Sequence, residues 1–153
     1  METEKAIREL VARSCLIMDS NDYQGFLDLC DQNFTYRITA YSPEIRRDML
    51  WLEKDKAGLK TLLDLLPKQN MDRTPLTRHF SLYTVDVDSG TNTAQVISAL
   101  QVYRTETDGG VTSLVAVGKY LDKVALNGGV PKLLEREVRL DTRMLGTGYH
   151  VPF

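Results

Sequence analysis

The sequence predicts an α+β fold, a strongly curved and mostly antiparallel β-sheet wrapped as a cone around three helices from the amino-terminal half. Helical periodicity ends at Pro67, and strand periodicity broken by turn residues takes over after it. Within His79 to Asp88 the apolar parity changes, from Phe80 and Leu82 to Val85 and Val87. That change needs one extra residue, and a β-bulge supplies it together with a bend. A length of 153 residues holds one hydrophobic core and falls short of two ordinary domains, so residues 1–153 are read as a single domain.

Each element follows from local pattern. Ile7, Leu10, Val11, Ser14 and Met18 recur at helical spacing, with Glu2, Glu4 and Glu9 toward the amino-terminal end of the helix dipole. Ser20-Asn21 breaks this helix. Asp22 then caps a second one carrying Tyr23, Phe26, Leu27 and Cys30 on one face, so the pair forms a hairpin. From Asn33 to Tyr41 the residues Phe34, Tyr36, Ile38 and Ala40 alternate, as in a strand with one buried face, and Pro43 ends it. Residues 42–54 mix Arg46 and Arg47 with Met49, Leu50 and Trp51, and read as a long loop or a broken helix. Leu59, Leu62, Leu63 and Leu66 mark a third helix stopped by Pro67, followed by a polar stretch to Thr74.

The remainder reads as a meander. Ser89-Gly90 and Asp108-Gly109-Gly110 separate the bulged strand from residues 94–104, and those from residues 111–126. Asn127-Gly128-Gly129 turns the chain into a last strand over 133–140, with Leu134, Val138 and Leu140 inward and Glu135, Glu137 and Arg139 toward water. The expected inward set of the long strands is Val96, Leu100, Val102, Val115, Val117, Val138 and Leu140, with Arg136 falling among them; strand parity leaves the opposite face as the alternative. On this reading the cone is filled.

Composition narrows the function. Hydrophobic residues make up 42% and charged residues 26%, a globular balance, and the net charge of -2 concentrates neither nucleic acid nor anionic lipid at the surface. No apolar run of signal-peptide length follows the charged start Met1-Glu2-Thr3-Glu4-Lys5, and no stretch has the length of a membrane span, so a cytoplasmic chain is expected. Cys15 and Cys30 fall within helical patterns and read as reduced core thiols.

Phosphate loops of the GxGxxG or GxxxxGK(S/T) type, the GxSxG elbow and the HExxH zinc helix are all missing from the sequence. His79 and His150 are the only histidines. A Rieske centre needs two histidines and two cysteines, and a mononuclear iron facial triad needs two histidines and a carboxylate. With both cysteines assigned to the core, no metal or other cofactor is expected in this chain. His79 has a catalytic reading, as a general base pointing into the cone with Asp19 or Asp86 to orient it. Its structural reading is a polar side chain at the start of a strand. Trp51, beside Met49 and Leu50, is either folded onto the core or an aromatic anchor for a partner. The tail places Met144, Leu145, Tyr149, Val151 and Phe153 where chains are normally polar, so it needs cover, from its own sheet or from another subunit.

Three stretches carry a family resemblance: Arg78-His79-Phe80 leading into the bulged strand, Val117-Gly118-Lys119-Tyr120-Leu121-Asp122, and the ending from Leu134 through Arg143 to Leu145. Together with the helical hairpin they resemble the small (β) subunit of Rieske non-haem iron ring-hydroxylating oxygenases, over nearly the whole chain. These are positions of a nuclear-transport-factor-2-like (NTF2-like) cone, which is shared with ketosteroid isomerase and scytalone dehydratase.

The resemblance implies a non-catalytic subunit in a complex that hydroxylates a small organic substrate with dioxygen and NADH-derived electrons. Family substrates run from aromatic hydrocarbons and acids to small sulfonates. The Rieske 2Fe–2S cluster and the mononuclear Fe(II) are then expected in a large (α) subunit, in an α3β3 hexamer with β–β contacts. The expected partner interface comprises Trp51, Arg143, Tyr149, His150 and Phe153. The rival reading is a free-standing cone isomerase, dehydratase or cyclase with His79 as its base, and a third is a ligand-binding or dimerisation module without chemistry.

Overall fold

The structure, a computed structural model, describes residues 2–69, 74–141 and 152–153. Helix α1 (Glu2–Asp19) turns Ile7, Leu10, Val11, Ser14, Cys15 and Met18 into the interior. Asn21, at φ 58°, makes the left-handed step out of it. The Asp22 carboxylate then accepts a 2.9 Å bond from the Gly25 N–H and caps α2 (Tyr23–Asp28). Cys30 opens strand β1 (Cys30–Ser42) instead of closing the helix, and its thiol donates to the Phe26 carbonyl. Phe34, Tyr36, Ile38 and Ala40 are all buried, as their alternation predicts.

Residues 42–54 depart from expectation. They contain a second strand, β2 (Arg47–Asp55), antiparallel to β1, where a loop or broken helix was predicted. The cause is a bulge: Thr39 pairs with Leu50 and Ile38 with Leu52, leaving Trp51 as the extra residue. Three apolar residues in a row hide the alternation that a strand normally shows.

Helix α3 (Lys56–Gln69) begins where the Asp55 carboxylate accepts from the Gly58 N–H at 2.7 Å. It buries Leu59, Leu63 and Leu66 and continues to Gln69, past the expected stop at Pro67. A proline in the last turn forfeits one hydrogen bond, and the packing stripe is already complete before it.

The meander then runs through β3 (Leu76–Asp88), β4 (Thr93–Thr105), β5 (Thr112–Ala125) and β6 (Lys132–Leu140), and β6 returns to lie parallel to β1. The sheet order is β2-β1-β6-β5-β4-β3, antiparallel at every other pairing. The bulge expected in β3 falls at Tyr83, between the pairs Leu82–Ser98 and Thr84–Ile97. Further bulges at Val115 in β5 and Leu134 in β6 increase the curvature.

Those two bulges also correct the expected inward set. On β5 the buried residues are Ala116, Gly118, Tyr120, Asp122, Val124 and Ala125, with Val115 and Val117 only half-buried. On β6 they are Leu133, Arg136, Val138 and Leu140, and Leu134 is the bulged residue. Val96, Leu100 and Val102 of β4 face inward as expected. Helices and concave sheet face share one core, into which Phe153 also packs.

Candidate functional site

The corrected parity brings charge into the cone. Asp122 and Arg136 sit directly opposite each other on β5 and β6, with side chains 0% and 1% exposed. Arg136 donates from Nε to Asp122 Oδ1 at 2.8 Å and from a terminal nitrogen to Oδ2 at 3.0 Å, a bidentate pair. The guanidinium carbon lies 3.8 Å from the centre of the Tyr120 ring. Burial, the largest single influence, disfavours the charged guanidinium, but the Asp122 carboxylate, together with Tyr120 and Cys15, outweighs it and holds Arg136 above the usual arginine range. Burial likewise raises the Tyr120 and Tyr36 hydroxyls and the Cys15 thiol, and takes Cys30 up to about 12. These are protonated, unreactive groups at neutral pH.

A second buried cation lies on β3. Arg78 bonds Asp19 of α1 at 2.8 Å and, at 2.9 and 3.1 Å, the main-chain oxygens of Pro152 and Phe153. Tyr120 donates to the same Phe153 oxygen at 2.6 Å. The space around the Phe153 ring, between Met18, Phe26, Tyr36, Leu59 and Leu63, has no room for a water molecule. Polar groups do converge in this cone, contrary to the mainly apolar interior expected, but they are engaged with one another and with residues 152–153. The Ser98 hydroxyl and the Tyr36 hydroxyl, the latter beside the Phe153 backbone, make no hydrogen bond of standard geometry among the described residues.

His79 stands on the other side of the sheet. It is exposed, one residue beyond inward-facing Arg78, and its ring meets the edge of Tyr103 at 5.2 Å. Asp19, one of the two expected orienters, bonds Arg78. Alternation along β3 places His79 on the opposite side of the strand from buried Arg78. Trp51 is half-buried at its bulge and packs against the core, while neighbouring Leu50 is 57% exposed. Phe153, expected at a partner interface, is 3% exposed within this chain's own core, because Arg78 and Tyr120 fix its backbone there. Arg143, Tyr149 and His150 lie outside the described residues.

Neither iron centre fits the described residues. They hold no group of three or more His, Cys, Asp or Glu that could ligate a metal. Cys15 and Cys30 are buried and free, and His79 faces outward, away from both. Sequence reasoning missed the Asp122–Arg136 pair, although a signal existed: the two residues are equidistant from Gly129 in the β5–β6 turn, where hairpin partners fall.

Comparison with known proteins agrees with this geometry. Residues 13–147 match the family described as ring hydroxylating beta subunit. The chain is 40% identical over 154 residues to the methanesulfonate monooxygenase hydroxylase subunit beta of Methylosulfonomonas methylovora, covering 96% of this chain and 85% of the relative. It is 32% identical to the 2-aminobenzenesulfonate 2,3-dioxygenase subunit beta of an Alcaligenes species, covering 96% and 97%. Two solved structures carry the fold. A beta subunit assigned to an aromatic-ring-hydroxylating dioxygenase of Novosphingobium aromaticivorans superposes with a TM-score of 0.82 at 22% identity, covering 95% of this chain and 93% of the other. An NTF2-like protein from the same organism gives 0.71 at 18%, covering 99% and 90%. The fold is the NTF2-like cone, and the chain belongs to the ring hydroxylating beta subunit family of Rieske-type oxygenases.

Proposed function

We propose that this chain is the non-catalytic β subunit of a terminal oxygenase, contributing shape and contact surface while a large α subunit carries the Rieske cluster and the mononuclear iron. The observation that carries the reading is the engagement of the interior charges: Asp122, Arg136, Tyr120 and Arg78 are paired with each other, with Asp19 or with residues 152–153, so none of these four is free to act on a substrate. The exposed position of His79 counts against a free-standing cone enzyme.

The complex is an α3β3 hexamer in the cytoplasm, with Trp51, Arg143, Tyr149 and His150 in contact with other subunits. No helix among the described residues is long and apolar enough to cross a membrane. Its substrate is a small organosulfonate, a reading supported by the sulfonate named for each of the two relatives above. Tagging this chain in its native host and purifying what accompanies it tests the proposal. An iron-bearing large chain in equal amount is expected, with oxygen uptake on methanesulfonate or 2-aminobenzenesulfonate when a reductase and NADH are present. A colourless homodimer with turnover of its own overturns it, and uptake on unsulfonated aromatics alone overturns the substrate class.

A further inference from the structure

We propose that Phe153 is a built-in ligand of the cone, and that the chain thereby keeps small aromatic molecules out of a chamber shaped to hold one. Phe153 is buried in the core, where with Pro152 it meets Met18, Phe26, Tyr36, Leu59 and Leu63 around an apolar slot, and the space left between them is too small for water to enter. Its backbone is held as a bound ligand is held. Arg78 donates to the oxygens of Pro152 and Phe153, and Tyr120 adds a 2.6 Å bond to the latter. Both side chains are buried, so neither has bulk water as a replacement partner. The Arg78 charge is balanced by Asp19 of α1, which ties the clamp to the helical side of the cone.

The slot therefore combines two properties of a small-molecule site, an apolar body and a few placed polar groups at one end. A phenylalanine side chain is toluene less one hydrogen. Removing it leaves a hole of that shape, and apolar cavities enclosed in a protein stay dry and accept benzene-sized guests or xenon. The inference stands on this chain's own residues and is independent of any iron-bearing partner.

Toluene is the probe, and the full chain, in the complex in which it purifies, is the sample. In Phe153→Ala, toluene is expected to raise the unfolding midpoint saturably by several degrees, as any ligand specific to the native state does, with no shift in the parent chain. Tyr120→Phe removes one clamp bond and leaves the slot intact, so a smaller shift is expected there. An unchanged response in that variant overturns the clamp. Equal shifts in parent and Phe153→Ala, or none in a folded Phe153→Ala, overturn the proposal. Should the alanine variant fail to fold, Phe153→Val leaves a smaller gap read by the xenon-129 NMR shift, and a folded valine variant without a bound-xenon signal overturns it equally.

Discussion

Buried charge decides the character of this interior at the level of single residues. Arg136 and Asp122 are both shielded from water, so deleting one partner strands the other. Arg136→Met is expected to cost about 3–5 kcal/mol, whereas Asp122→Leu combined with Arg136→Met recovers most of that loss because no lone charge remains. Urea midpoints of the single and double variants measure the difference. The buried thiols give a pH signature of definite sign. Cys30 is raised from 9.0 to about 12, so the folded state keeps a proton that the unfolded chain gives up. Stability from this group is complete below pH 9 and declines as pH rises toward 12, with Cys15, Tyr36 and Tyr120 shifted in the same direction. Denaturation at pH 8 and pH 11 should show the decline, and Cys30→Ala should lessen it; a drop of equal size in the variant would assign the alkaline loss to other groups.

Among the elements, the β5–β6 ladder brings backbone close against backbone at Gly118. A Cβ added at Gly118 would run into the Arg139 carbonyl and the Leu140 backbone, neither of which can swing away as a side chain can. Gly118→Ala is expected to cost about 3 kcal/mol, the upper end for overpacking, and circular dichroism during thermal unfolding would register it. The sequence was most legible where elements are regular. The stripe of α1, the alternation of β1 and the parity change that located the Tyr83 bulge all lie within one element and need no knowledge of its neighbours. It was opaque at the other bulges. Trp51 disguised β2 as a loop or broken helix, Leu134 gave its inward place on β6 to Leu133, and the bulge at Val115 left β5 facing inward with the opposite parity to the expected valines, which concealed Asp122. The clamp on Phe153 was hidden for another reason: it joins residues 78, 120 and 153, and no local pattern links positions so far apart.

The cone as a whole serves either as a reaction vessel or as a building block, and its filling separates the two uses, since the NTF2-like backbone is common to both. Here the interior is complete, so interaction with other chains falls to the rim and the outer face. The outer face bears a ladder of paired charge across three strands, Arg37 with Glu137 at 3.3 Å and Arg139 with Asp48 at 2.6 Å, and the sheet ends on β2, an edge strand that exposes Leu50 beside half-buried Trp51. An open edge of this kind invites cover by another chain. Trp51 is the sole tryptophan, so 5-fluorotryptophan incorporated into this subunit alone yields one fluorine resonance at that edge. If β2 meets the α subunit, mixing labelled β with unlabelled α shifts this resonance and lowers its sensitivity to solvent isotope. A resonance unmoved in an assembled complex places the α contact elsewhere on the cone and removes Trp51 from the interface.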